Sequence, residues 1–153
     1  MINTTPLTDR VDQYGNRKAI QHNENDQLNE DRVRDILWET QSIKLHQYAK
    51  YSPIDFWMEK DGQVMGMAEL KTSFKPNDQF AYLNVRKYTN LQLASAGFNC
   101  KGYFISQRLN GQIYICDVNK LVGNVFIVDR GLKGKNEREP VKAIHINTMY
   151  RII

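Results

Sequence analysis

The sequence predicts an α/β fold in which a mixed central β-sheet is flanked by helices. Residues 29–40 and 85–96 show apolar residues at helical spacing, and residues 52–73 read as two strands joined by a turn. A strand pattern at 101–107 follows the second helix. Further strands are expected at 112–118, 124–128 and 141–147. This alternation of helices and strands is typical of a sheet covered on both faces.

The composition is that of a globular chain. Its 153 residues suit one core, with 41% hydrophobic and 25% charged residues. No apolar run is long enough to span a membrane and the N-terminus lacks a signal-peptide pattern, so we expect an intracellular, cytoplasmic protein. The polar residues 1–28 predict a flexible arm before a single domain over 29–153. Cys100 and Cys116 lack CxxC spacing and are expected to be small core residues.

The hairpin over residues 52–73 carries the most informative charges. Side chains on a strand alternate between faces, so Glu69 and Lys71 project from one face and Leu70 from the other. An acid and an ammonium are therefore held side by side on one strand.

The hairpin register decides whether Asp55 joins them. A two-residue loop at Asp61 and Gly62 would place Asp55 opposite Ala68, on the wrong face. A three-residue loop closed by Gly62 in the left-handed conformation places Asp55 opposite Met67, diagonal to Glu69 at about 7 Å. We therefore expect the three-residue loop, which puts both carboxylates on one face.

Pro53-Ile54-Asp55, followed on the paired strand by Glu69-Leu70-Lys71, resembles the motif of the PD-(D/E)XK nuclease superfamily. The E-x-K triplet alone arises on many charged strands, but a preceding Pro-x-Asp, a hairpin turn and flanking helices make the pattern more specific. The resemblance covers about residues 29–107. It implies a restriction-endonuclease-like core, to which the C-terminal strands are additions.

The resemblance implies a metal-dependent hydrolytic site. Asp55 and Glu69 would hold the metal ion, and Lys71 would orient or help deprotonate the attacking water. Oxygen ligands favour Mg²⁺, with Mn²⁺ as a substitute, over zinc. An ordinary exposed ion pair between Glu69 and Lys71 is the alternative interpretation.

Members of this superfamily often add a metal-binding Glu from the first helix. Glu30 fits because it precedes Val33 and Leu37 by three and seven residues, which places it on their side of the helix. Glu39 is the competing candidate. A favourable acid at the helix N-terminus explains Glu30 equally well.

The charge distribution favours a nucleic-acid partner. Residues 1–119 carry 14 Lys+Arg and 14 Asp+Glu, whereas residues 120–153 carry 7 and 3. The basic loop near 130–142 could follow a phosphate backbone, although a solvated surface loop is the alternative. Two cations in the first turn of the second helix oppose the helix dipole, which also hints at an anionic partner. The residues expected to contact DNA are Lys75, Arg86, Lys87, Gln92, Arg130, Lys133, Lys135 and Arg138.

The sequence thus predicts an endonuclease acting on double-stranded or branched DNA. Site-specific cleavage of the homing or restriction type is the first interpretation. A structure-specific Holliday-junction resolvase, a catalytically silent DNA-binding module and an enzyme acting on smaller phosphate substrates stay open.

We also expect a homodimer or a dimer of dimers. The two strands of a duplex run antiparallel, so a two-fold pair presents the same site to each strand. The apolar residues of the C-terminal strands would cover this interface or complete the core of one subunit. They are Ile144, Ile146, Met149, Ile152 and Ile153.

Overall fold

The computed structural model describes residues 10–11, 17–18, 24–49, 52–73, 75, 77–121, 123–129 and 138–153. The chain forms two compact units, Met1–Asp31 and Arg32–Ile153. In the first unit, strands β1 (Arg10–Val11) and β2 (Arg17–Lys18) pair antiparallel. Helix α1 (Glu24–Gln41) begins in the first unit, and all later elements lie in the second.

Helix α1 begins before the predicted position, so Asn29 lies inside it and is not its N-cap. The sequence places two acids, Glu24 and Asp26, in the first turn, where the helix dipole favours negative charge. One turn later, Gln27 donates a side-chain hydrogen bond of 2.9 Å to Asp31. Residues 24–28, which the sequence assigned to the arm, therefore belong to the helix.

The elements of the second unit follow in a fixed order. They are β3 (Lys44–Gln47), β4 (Phe56–Lys60), β5 (Gln63–Thr72), β6 (Phe80–Asn84), α2 (Val85–Gly97), β7 (Lys101–Gln107), β8 (Ile113–Asp117), β9 (Gly123–Asp129), β10 (Arg138–His145) and β11 (Tyr150–Arg151). Six strands form one sheet in the order β11-β8-β7-β5-β4-β3, in which β5 and β7 are parallel and the other pairs antiparallel. Strands β6, β10 and β9 form an antiparallel sheet. The predicted mixed sheet is confirmed.

The two helices pack on opposite faces of the six-stranded sheet. Val33 and Leu37 of α1 pack against one face, which includes Ala68. Leu91 of α2 packs against the other. A Cβ atom at Gly102 would lie 3.0 Å from the Leu91 side chain, so the missing side chain lets α2 approach β7 closely. We call these the α1 face and the α2 face.

Strand β6 was not predicted. Phe80–Asn84 pairs with β10, and Ala81 and Leu83 are buried. The pairing partner lies about sixty residues further along the chain, as in the register pair Leu83 and Lys142. A local pattern of five residues gives little sign of a partner that distant.

The C-terminal strands complete the core of the subunit. Ile144 is fully buried and Met149 is 8% exposed, and both belong to the core on the α2 face. The interpretation that these residues cover a dimer interface is therefore wrong for them. A different apolar surface lies on β9, an edge strand, where Val125, Phe126 and Ile127 are 56%, 52% and 64% exposed.

Within the described residues, neither α1 nor α2 is long and apolar enough to cross a membrane.

Candidate active site

The turn between β4 and β5 has two residues, not the expected three. Asp61 and Gly62 both have positive φ angles, of 53° and 75°, as a tight type I′ turn requires. Lys60 accordingly pairs with Gln63. A two-residue loop alone would put Asp55 on the wrong face of the hairpin.

A β-bulge brings Asp55 to the same face of the hairpin as Glu69. Glu59 pairs with Val64 but Met58 pairs with Gly66, so Met65 is an extra residue in β5. Beyond the bulge, the register has shifted by one residue.

The shifted register places both acids on the α2 face. Phe56 pairs with Ala68, and both side chains pack in the core on the α1 face. Asp55, one residue before Phe56, and Glu69, one residue after Ala68, therefore share the opposite face. The expected shared face is reached, but through a register that neither predicted alternative contains.

The bulge also moves two apolar residues from their predicted positions. Side-chain alternation counted back from Glu69 predicts Met65 on the acid-bearing face, yet it packs with the core on the α1 face. The same alternation predicts Val64 on the buried face, yet it is 53% exposed. One inserted residue reverses the alternation of side chains on the turn side of the strand.

Local contacts hold Asp55 in place at the entrance to β4. The buried Ile54 anchors the segment in the core, and its backbone N–H donates to Ser52 Oγ at 3.2 Å. The backbone carbonyl of Asp55 accepts a hydrogen bond of 2.9 Å from the N–H of Tyr48. Tyr48 in turn donates its hydroxyl to Met67 Sδ at 3.3 Å.

Lys87 bridges the two carboxylates. Its Nζ lies 3.1 Å from Asp55 Oδ1 and 3.6 Å from Glu69 Oε1. The lysine stands in the first turn of α2, where Asn84 caps the helix by accepting from the backbone N–H of Arg86 and Lys87. An asparagine just before the helical spacing of residues 85–96 predicts this cap, which is confirmed.

Burial makes this cluster electrostatically unusual. The Glu69 side chain is 13% exposed, and burial followed by the charge of Asp55 raises its pKa to about 9, an effect that Lys87 only partly offsets. Burial acts to lower the pKa of Lys87, but the charges of Glu69 and Asp55 outweigh it and raise that pKa. Asp55 and Glu69 together therefore favour the binding of positive charge, either a proton or a cation.

Lys71 lies on the same face of β5, two residues after Glu69. Its Nζ donates a hydrogen bond of 3.1 Å to the backbone carbonyl of Tyr82 on β6. The buried Arg108 fastens the same strand, because its guanidinium donates to the carbonyls of Asp78 and Phe80 at 2.6 and 3.0 Å. The unpredicted β6 therefore helps to position Lys71.

The residues that were expected to contact DNA have different surroundings in the structure. Lys87 faces the two carboxylates, whereas Arg86 next to it is exposed. Gln92 donates to the Tyr88 hydroxyl at 2.9 Å. Lys75 is exposed, with its Nζ 5.6 Å from the centre of the Tyr82 ring.

The basic loop is only partly described. Arg138 is exposed at the start of β10. Arg130, Lys133 and Lys135 lie outside the described residues. A contact between these residues and DNA stays a prediction.

Glu30 lies on α1 within the first compact unit. It was chosen because it precedes Val33 and Leu37 on their side of the helix, and its role as a metal ligand stays a prediction. The competing Glu39 is exposed.

The donor atoms present suit a hard divalent cation. Asp55 and Glu69 supply carboxylate oxygens, which Mg²⁺ and Mn²⁺ prefer. Both already interact with one positive charge, and the raised pKa of Glu69 indicates that the pair can accept more. Among the residues that the structure describes, no group of three or more His, Cys, Asp or Glu side chains could hold a metal ion.

Comparison with known proteins gives a structural match. The solved structure of Hjc from Archaeoglobus fulgidus, a Holliday junction resolvase from an archaeal hyperthermophile, superposes with a TM-score of 0.55 and 15% sequence identity. The match covers 80% of this chain and 93% of Hjc. The predicted restriction-endonuclease-like architecture is thus confirmed.

Searches by sequence add nothing to this match. No protein-family model matches the chain, and no curated protein matches it by sequence. The similarity to Hjc is therefore one of fold.

The contact between Lys87 and the carboxylates was missed by sequence reasoning. The signal was present, since a cation in the first turn of a helix opposes the dipole and calls for a nearby anion. We interpreted that anion as an external partner. The structure supplies it internally, from residues 18 and 32 positions away in the chain.

Proposed function

We propose that this chain is a metal-dependent, structure-specific endonuclease that cleaves branched DNA such as a four-way junction. The observation that carries the proposal is the placement of Asp55 and Glu69 on one face of β4 and β5, bridged by a single cation. The likeness of the fold to a Holliday junction resolvase favours this activity over site-specific cleavage of the homing or restriction type.

Each residue of the site has a role in this proposal. Asp55 and Glu69 would hold the metal ion through their carboxylate oxygens. A divalent cation bound there would polarise the scissile phosphate and lower the pKa of a coordinated water. Lys71, held by the Tyr82 carbonyl, places its ammonium group to orient the water and to offset charge that develops on the phosphate. Glu30 is retained as a candidate further ligand.

The DNA-binding surface in this proposal combines the exposed cations near the site with the basic loop. Arg86 and Lys75 are exposed beside α2 and β6, and the basic loop begins beyond β9. Replacing Lys133, Lys135 and Arg138 together should weaken DNA binding and reduce the slope of log K against log salt by close to one unit per lost phosphate contact. An unchanged slope in the triple variant would remove the loop from the DNA-binding surface.

The experiment that tests the activity compares three substrates with Mg²⁺ and with EDTA. They are a supercoiled plasmid, a linear duplex and a synthetic four-way junction. We expect cleavage of the junction in Mg²⁺ only, with symmetrically placed products. Preferred cleavage of the linear duplex at one sequence would restore the site-specific interpretation.

A catalytically silent DNA-binding module is the second candidate, and the position of Lys87 favours it. An ammonium that already contacts both Asp55 and Glu69 could keep a metal ion out permanently. Such a module would bind the junction with equal affinity in Mg²⁺ and in EDTA, and it would cleave nothing under either condition.

A homodimer remains part of the proposal, now with a different interface. The edge of β9 presents three consecutive exposed apolar residues, Val125, Phe126 and Ile127. Pairing of this edge with that of a second copy would cover them and extend the sheet across a two-fold axis. We expect light scattering to report a dimer that Phe126→Lys converts to a monomer, whereas a monomeric wild-type protein would contradict the interface.

A further inference from the structure

Lys87 occupies the position of a counter-ion between two groups that the proposed function assigns to a metal. Its Nζ lies 3.1 Å from Asp55 Oδ1 and 3.6 Å from Glu69 Oε1. The backbone of Lys87 is fixed, because Asn84 caps its N–H and Leu91 one turn later is buried. The side chain itself has four flexible methylene groups and is 28% exposed. The ammonium can therefore move although its Cα cannot.

The two carboxyl groups favour a nearby cation whenever both are ionised. Glu69 is largely buried, and two neighbouring carboxylates in a poorly solvated site repel each other. Lys87 is a cation that both contact. A divalent ion carries twice that charge and coordinates carboxylate oxygens directly, so it competes for the same atoms.

We propose that Lys87 is an exchangeable counter-ion of the active site. Its ammonium holds Asp55 and Glu69 together in the metal-free protein and leaves them when a divalent cation binds. This inference rests on the proposed function, because it requires those two carboxylates to be the metal ligands. It adds a role for Lys87 that the E-x-K motif does not contain.

The exchange gives Lys87 a second role at the DNA. Once released, the ammonium stands at the N-terminal turn of α2 beside the exposed Arg86, on the face where the scissile phosphate would lie. Metal binding thereby turns an internal ion pair into a free cation that can contact a phosphate. The protein would bind its DNA fully only after the metal is in place.

The first test is calorimetric titration of Mn²⁺ into the wild-type chain, Lys87→Met and Lys44→Met. Lys44 is a matched control, since its Nζ lies 3.8 Å from Glu59 Oε2 on the same sheet but away from the site. We expect Lys87→Met to bind Mn²⁺ about tenfold or more tightly than wild type, and Lys44→Met to bind it as wild type does. In EDTA, Lys87→Met should also have the lower Tm and gain more from added Mn²⁺.

The second test uses the wild-type protein alone, so it does not depend on the folding of a variant. Lysine acetylation followed by mass spectrometry should show Lys87 protected in EDTA and modified in Mn²⁺, with Lys44 modified equally in both. Protection that is unchanged when Mn²⁺ binds would overturn the inference.

The outcomes separate the inference from the proposed function. If wild type binds Mn²⁺ and Lys87→Met binds it no more tightly, the exchange is wrong while the metal site stands. If only Lys87→Met binds Mn²⁺, Lys87 is a permanent occupant, the exchange is wrong and the silent module is favoured. If neither protein binds Mn²⁺, the proposed function fails and the exchange fails with it.

Discussion

The two faces of the six-stranded sheet are built from the same strands but are chemically different. Strand β5 turns Ala68 and Leu70 toward α1, and Glu69 and Lys71 toward α2. The α1 face has an apolar core, beside which the buried Gln107 accepts a hydrogen bond from Arg32 of α1. The α2 face has an apolar base, with Met67, Leu91 and Phe104, but it also carries charges. The charged residues near it are Asp55, Glu69, Lys71, Lys87 and Arg108.

The α1 face mainly stabilises the fold, whereas the α2 face carries the charged groups of the candidate site. Burying a carboxylate costs free energy unless it is fully compensated, and the raised pKa of Glu69 shows that compensation is incomplete. The apolar α1 face contributes stability that can offset this cost. The apolar packing on the α1 face thus supports a face whose charged groups are costly to bury.

The largest expected effect concerns the α2 face alone. Asp55→Ala, Glu69→Gln and Lys71→Ala should each reduce Mg²⁺-dependent junction cleavage by about a thousandfold or more, because each removes a ligand or a charge at the reacting phosphate. The measurement is single-turnover cleavage, with circular dichroism confirming the fold. Full activity in a folded Asp55 or Glu69 variant would refute the site.

The next effect concerns the α1 face. Leu37 is fully buried, so Leu37→Ala should lower the free energy of unfolding by about 2 to 5 kcal/mol. Below its melting transition, this variant should bind Mn²⁺ as wild type does. Leu93→Ala is the matched control, since Leu93 is 67% exposed and its loss should change stability by less than about 0.5 kcal/mol. A loss of metal affinity in Leu37→Ala would mean that the two faces are coupled.

Measured per pH unit, the smallest effect is the pH dependence of stability. The pKa of Glu69 rises from 4.5 to about 9 on folding, so the folded protein binds more protons than the unfolded chain between these values. The stabilising contribution of Glu69 is complete below pH 4.5 and is lost as pH rises through about 9. In EDTA, stability should therefore fall across this window by up to about 1.4 kcal/mol per pH unit.

The variant Glu69→Gln isolates that contribution because it cannot ionise. Urea unfolding at a series of pH values should give a flatter profile for this variant than for wild type. Parallel profiles would show that Glu69 does not carry the extra proton. Saturating Mn²⁺ should also flatten the wild-type profile, since a bound cation favours the ionised carboxylate.

The sequence by itself determined the fold class, the strands of the hairpin and the residues that share its charged face. These follow from local patterns: the alternation that pairs Glu69 with Lys71, the turn signal at Asp61 and Gly62, and the cap at Asn84. Such patterns act over a few residues, so a single sequence contains them. The choice among DNA substrates was not contained in them.

Only the tertiary structure decided how the charged residues come together on the α2 face. The bulge at Met65 set the register of Asp55 against Glu69, and pairing with β10 made β6 a strand that positions Lys71. The partner of Lys87 likewise depended on how α2 docks against the hairpin. These features depend on contacts between segments that are distant in the chain. The contacts favour one arrangement only when all of these segments pack together. Local sequence propensities do not encode those contacts.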